Sequence, residues 1–106
     1  MAEKLGFGIL GAGLVAPFHA NAVRDSRGGR LVAVCDVSRE RADKLAARCG
    51  VKAYYRLEDM LRDSEIQVVN VALPNHLHHD AVLACAQAGR HVTMTRARRP
   101  ASAAAA

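Results

Sequence analysis

Tryptophan is missing from this 106-residue chain, and its remaining aromatic residues are two Phe and two Tyr. Tyr54 and Tyr55 have no interleaved basic residues, so the stacking platform of a single-stranded nucleic acid groove is excluded. Only three cysteines are present, an odd number, and Cys35, Cys49 and Cys85 are too far apart for a C-x-x-C zinc or redox pair. Each lies in an apolar or helical stretch, which reads as free thiols in a reducing cytoplasm.

No apolar run approaches the roughly 18 residues of a membrane span, so no membrane partner is expected. Lys4, the run from Leu5 to Ala16 and the Ala20-Asn21-Ala22 triplet do imitate a secretory leader. Glu3 dilutes its basic end, however, and Gly6, Gly8, Gly11 and Gly13 do not suit an apolar helix. The formal charge of +5 points to nucleic acid no more strongly, because Arg96, Arg98 and Arg99 supply most of it. Residues 1–95 carry 12 basic against 10 acidic side chains, so no specific nucleic acid is expected.

What is present is a soluble globular composition, with 51% apolar and 24% charged residues in a length that suits one domain. Leu5, Phe7, Ile9 and Leu10 form a short strand, after which Val15, Phe18 and Ala22 recur at helical spacing. Pro17 falls in the first helical turn, where its missing N–H is not needed. Leu31 to Cys35 is a continuous apolar run ending at Asp36, the pattern of a strand covered on both faces. Ser38 caps a helix to about Arg48, with Ala42, Leu45, Ala46 and Cys49 inward and Gly50 as its stop.

Val51 to Tyr55 gives a third strand, Leu57 to Leu61 a brief helix, and Ile66 to Ala72 the clearest strand. A helix from His78 to Ala88 closes at Gly89, and His91 to Met94 starts a fifth strand. This alternation predicts an α/β fold, a doubly wound parallel sheet of the Rossmann type with about five strands in the order 3-2-1-4-5. The expected division is a dinucleotide-binding domain over 1–94 and a basic, Ala-rich, disordered tail over 95–106.

Gly11-Ala12-Gly13-Leu14-Val15-Ala16 fits G-x-G-x-x-(G/A), directly after a strand and opening a helix, and Asp36 ends the next strand 20 residues on. Gly11 permits the tight turn and Gly13 lets the backbone approach a pyrophosphate. The N–H groups of the first helical turn face that anion, so that Gly11, Gly13, Leu14 and Val15 take the pyrophosphate, and Ala16 keeps helix and strand close. Asp36 accepts from both hydroxyls of an adenosine ribose and repels a 2′-phosphate, which favours NAD, with NADP as the second cofactor reading. Ser38 and Arg39, close by in sequence, soften that preference. The bland alternative is a tight turn that binds nothing.

His76, His78 and His79 crowd one loop-to-helix junction, but His76 and His79 leave opposite sides of a starting helix, so no metal is expected. His78 is either a nicotinamide-site residue or a loop holder. His19 packs under the glycine turn, and His91 is structural.

With these motifs the chain resembles the N-terminal domain of the Gfo/Idh/MocA oxidoreductases, the family of glucose-fructose oxidoreductase and inositol dehydrogenase. The resemblance runs from about Gly6 to Val92, on G-I-L-G-A-G-L-V-A followed by His19, A-V-C-D, V-A-L-P-N-H-L-H and A-G-R-H-V. It implies an NAD(P)-dependent enzyme moving a hydride between nicotinamide and a sugar, cyclitol or similar alcohol. It also implies that Leu73, Pro74 and Asn75 lie along the nicotinamide end, with His78 as the histidine of P-N-x-x-H.

Where the family continues with E-K-P, this chain has Thr95, Arg96 and Ala97. A guanidinium stays charged and cannot replace a lysine that gives up a proton, so no catalytic residue is assigned. The family's C-terminal substrate domain is also lacking. The short chain is therefore expected to bind dinucleotide without turning over substrate, and to self-associate through its exposed fifth-strand edge. A non-catalytic nucleotide-sensing or protein-interaction module is the alternative. Everything from about Thr93 onward reads as foreign to the family, a frame-shifted reading or a scar of cloning. On the frameshift version, sequencing the encoding DNA finds Glu-Lys-Pro in another frame near codon 93, and its absence from all frames rules that version out.

Overall fold

The computed structural model describes residues 4–13, 15–73 and 75–94, with Asn75 and Met94 described in their backbone alone. Five strands, β1 (Leu5–Leu10), β2 (Gly29–Cys35), β3 (Lys52–Tyr54), β4 (Val68–Val71) and β5 (His91–Met94), form one sheet in the order β3-β2-β1-β4-β5. All four pairings are parallel. The helices are α1 (Ala16–Asp25), α2 (Arg39–Cys49), α3 (Leu57–Leu61) and α4 (His78–Gln87), with a 3₁₀ turn over Asn75–Leu77. The sheet order and the doubly wound class agree with the sequence pattern.

Successive strand residues point to opposite faces, which gives the sheet two cores. Ile9 and Val34 join Ala16, Ala20, Leu45 and Ala46 under α1 and α2. Leu10 and Cys35 join Met60, Val69, Val71, Ala81 and Cys85 under α3 and α4. The continuous apolarity of β2 has its cause here, because Val32, Ala33, Val34 and Cys35 are all buried.

The helix α1 departs from the sequence expectation in its orientation. Its buried residues are Ala16, Ala20 and Val23, while Val15, Phe18 and Ala22 are exposed, Phe18 by 73%. Small side chains permit the close approach of α1 to the sheet, so the bulkier stripe is turned outward. The other boundaries shift modestly. β3 is confined to Lys52–Tyr54 and β4 to Val68–Val71.

β5 pairs with β4 through Val71 and Met94, and Asn70 Nδ2 donates to Thr93 Oγ1 at 3.0 Å. Thr93 and Met94 thus complete the edge strand of the sheet. Residues 95–106, including Thr95, Arg96 and Ala97, lie outside the described residues. Of the cysteines, Cys35 and Cys85 are buried and Cys49 is half-buried, all as free thiols.

At the β3 edge, Asp63 accepts from Lys52 Nζ at 2.9 Å, Tyr54 Oη at 2.7 Å and the Glu65 N–H at 2.9 Å. Its side chain is only 5% exposed. Burial by itself would raise the Asp63 pKa, but these donors outweigh it and hold the carboxyl at about 2, against an ordinary 3.8. A depressed carboxyl contributes stability that is complete above about pH 4 and is lost as the pH falls through about 2. Asp63→Asn is expected to lower unfolding free energy by about 1 to 2 kcal/mol at neutral pH. Denaturant melts of both proteins between pH 7 and 2 check this, and the gap between them should close in the acid range. A gap that stays constant with pH contradicts it.

Candidate dinucleotide-binding site

The crossovers after β1 and β2 place α1 and α2 on one face, and the crossover after β3 places α3 on the other. The carboxyl ends of β1 and β4 therefore border the crevice where strand order reverses. Gly11 lies at the end of β1, where its N–H donates to Cys35 O at 2.7 Å, and its φ is +104°. A Cβ on Gly11 would stand 2.7 Å from Ala72 O, so both conformation and space require glycine there. Gly13 differs. Among the described residues a Cβ on it would meet nothing within 4 Å, which leaves that side of the turn open to an approaching group.

The turn feeds the amino end of α1. Val15 is the N-cap residue without a side-chain cap, Pro17 sits in the first turn, and that turn holds no acid. The other three helices have at least one of these devices: Ser38 and Glu40 for α2, Glu58 and Asp59 for α3, and Asp80 for α4. Among the described helices, the partial positive charge at the start of α1 is therefore the one left uncompensated by caps and first-turn acids.

Asp36 stands beside this turn. Its Oδ2 accepts from the Ala12 N–H and its Oδ1 from the Ser38 N–H, both at 2.8 Å. Two further lone pairs remain on the carboxylate, enough for a pair of hydroxyl donors. Asp36 thus carries a structural duty that the sequence reading missed, tying the β1–α1 turn to the β2–α2 turn. Behind it, burial pushes the Cys35 thiol up to about 12, with the charge of Asp36 adding to the effect, so this thiol is inert at neutral pH.

A pocket of ≈ 300 Å³ opens next to Asp36, with Leu10, Val37, Leu57, Leu73 and Leu77 among its lining residues. Val37 is 90% exposed beside the carboxylate. Leu73, which the family resemblance assigns to the nicotinamide end, thus has a place in the wall that Asp36 and Val37 share. Leu14 and Pro74 lie outside the described residues, and Asn75 begins the 3₁₀ turn after β4.

The His78 ring bonds through Nε2 to the Leu73 carbonyl. A carbonyl only accepts, so Nε2 carries the proton and the ring ties α4 to the β4 loop. His19 is half-buried in α1, and burial lowers its pKa. Among the described residues no three His, Cys, Asp or Glu side chains converge as a metal site would need. No helix among them is long and apolar enough to cross a membrane.

Arg39, the expected softener of coenzyme choice, is turned elsewhere. Its guanidinium lies over the Tyr55 ring, 4.1 Å from the centroid. Ser38 is engaged as the α2 cap, accepting from the Arg41 N–H at 3.3 Å. Arg41 instead lines a cleft of ≈ 650 Å³ with Ala12, Gly13, Pro17, Lys44, Leu45 and Arg48. Sequence reading did not single out Arg41, although an i, i+2 pair on a helix necessarily diverges.

Comparison with known proteins places this geometry. A family model described as an oxidoreductase family with an NAD-binding Rossmann fold matches residues 5–95. An uncharacterized oxidoreductase of Rhizobium meliloti is 34% identical over 88 residues, which is 81% of this chain and 26% of that protein. The myo-inositol 2-dehydrogenase of Thermotoga maritima is 30% identical over 86 residues, 80% of this chain and 26% of its own length. Among solved structures, the WlbA dehydrogenase of Bordetella pertussis in complex with NADH and UDP-GlcNAcA superposes with a TM-score of 0.83 at 30% identity. That match covers 89% of this chain and 29% of the other. The chain spans about a quarter of the length of the curated relatives it matches. From the glycine turn, the sheet order and the family match together, the chain belongs to the Gfo/Idh/MocA oxidoreductases and corresponds to their NAD-binding Rossmann domain.

Proposed function

We propose that this chain holds NAD(H) across the carboxyl ends of β1, β2 and β4, as the coenzyme-binding part of an oxidoreductase acting on a sugar, cyclitol or similar alcohol. The observation that carries the reading is the uncapped amino end of α1 next to the open side of Gly13. A diphosphate there meets N–H groups of Gly13 and Val15 with no competing carboxylate from the first turn. Leu14, between them in sequence, keeps its assignment to the same group.

Asp36 takes the adenosine ribose hydroxyls with its remaining lone pairs. The adenine fits the apolar pocket beside it, so the Leu73 side chain is assigned to the base and not to the nicotinamide. Asn75 stays on the nicotinamide side, and His78 serves that side by holding the Leu73 carbonyl in place. Bound NAD(H) supplies or accepts the hydride. No proton-transfer group is assigned to this chain, which binds coenzyme without turning over substrate.

A reducing cytoplasm suits the three free cysteines. Among the described residues β5 has a strand partner on one side only, which supports self-association through that edge.

Gly13→Ala separates binding from folding, since the new methyl meets none of the described residues within 4 Å. Its stability is expected to stay within about 1 kcal/mol of wild type. NADH affinity, read by fluorescence titration, should fall at least about tenfold as the methyl takes space the diphosphate needs. Unchanged affinity contradicts the placement. Asp36→Ala is expected to act on both readouts, destabilising by roughly 1 to 3 kcal/mol because two backbone N–H groups lose their acceptor. It should also weaken NADH. Wild-type protein that shows no saturable NADH binding overturns the proposal.

A further inference from the structure

The amino ends of the strands, opposite the coenzyme crevice, carry a group of cations of their own. A hollow of ≈ 290 Å³ lies there between the start of β2 and the carboxyl ends of α1 and α2, and its charged lining residues are Lys4, Arg24 and Arg30. Among the described residues no acid shares that lining. Lys4 and Arg30 also line a neighbouring hollow with Leu5 and Gln67, again without an acid among the described residues.

The three cations come from separate elements, Lys4 before β1, Arg24 in the last turn of α1 and Arg30 in β2. Arg24 has a helical duty, because a cation complements the partial negative charge at a helix carboxyl end. Lys4 and Arg30 stand at strand starts and have no such duty. Among the described residues Lys4 and Arg24 form no ion pair, and Arg30 has Glu65 at 3.9 Å, with both side chains about half exposed. A pair so long and so open contributes little, and Glu65 lies nearer to Lys52, at 3.6 Å. Positive charge therefore gathers on one hollow without matching negative charge from the chain.

The geometry points to a second anion site, one that takes a short phosphate chain, either inorganic polyphosphate or the triphosphate of a nucleotide. At ≈ 290 Å³ the hollow stands at the lower limit of small-molecule pockets, which suits a few phosphate groups better than a whole dinucleotide. Two guanidinium forks and one ammonium around it match a group rich in oxygens, since each fork takes two of them and the ammonium acts as a point charge. A lone carboxylate would occupy one fork and leave the other cations unmet. Gly50 adds an open wall, because a Cβ there would meet none of the described residues within 4 Å. Lys4 and Gly11 flank β1 at its two ends, about 20 Å apart, so this site is separate from the coenzyme crevice and does not depend on the coenzyme placement.

Cys49 lines the same hollow and supplies a local reporter. It is half-buried, whereas Cys35 and Cys85 are buried and that burial pushes their thiols up. Iodoacetamide, which is uncharged, should therefore alkylate Cys49 first, at a rate followed by mass spectrometry of the whole chain. About 5 mM tripolyphosphate should slow this reaction about fivefold relative to sodium chloride of equal ionic strength. The Lys4→Gln/Arg30→Gln variant should lose most of that protection. Arg56→Gln/Arg62→Gln, which removes the same charge from exposed positions outside the hollow, should keep it. ATP in a parallel series separates the two sources, since equal protection assigns recognition to the phosphates alone and a lead for either compound names the preferred source. Runs with and without NADH should agree, because the two sites lie at opposite ends of the sheet. Cys49 alkylation that tripolyphosphate and ATP leave unchanged overturns the inference, as does equal loss of protection in the two double variants.

Discussion

One carboxylate holds together the two turns on which the site is built. The loops after β1 and β2 belong to successive crossovers, and nothing in local helix or strand propensity fixes their separation. Asp36 fixes it by accepting an N–H from each, Ala12 on one side and Ser38 on the other. Backbone donors left without an acceptor are costly when partly buried, so the turns adopt one spacing. That spacing sets the glycine turn beside α2, leaves the amino end of α1 open, and positions Val37 against the apolar pocket.

Electrostatics around this carboxylate are strongly divided. On one side lie an uncapped helix end and a cleft lined by Arg41, Lys44 and Arg48, and on the other an apolar pocket lined largely by Leu side chains and Val37. A dinucleotide presents the matching order of groups: diphosphate, ribose, base. The division exists because α2, α3 and α4 each carry their own cap or first-turn acid, whereas α1 carries neither. The chain leaves an unmet requirement for negative charge at that end of the sheet.

Much of this was legible in the residue order. Runs such as Leu31 to Cys35 have no polar interruption, and only a strand covered by helices on both faces suits them, so the sheet class and order follow. Gly11 and Asp36 were legible because one needs a positive φ and the other ends a strand at a fixed distance from the turn. The orientation of α1 was not. Val15, Phe18 and Ala22 make an apolar stripe as convincing as Ala16, Ala20 and Val23, and periodicity does not say which one meets the sheet. Contact distance decides it, in favour of the smaller side chains. The direction of Arg39 was not legible for a similar reason, since the side of α2 that it leaves matters only once its neighbour Tyr55 is known.

The central claim is that main-chain amides at the start of α1 receive the diphosphate of the coenzyme. Amide proton–nitrogen correlation spectra of the isotopically labelled chain, recorded during addition of NADH, test it most directly. The Gly13 and Val15 signals are expected to move furthest and to saturate together. Saturating shifts confined to other parts of the chain, with those two signals unmoved, would contradict the placement.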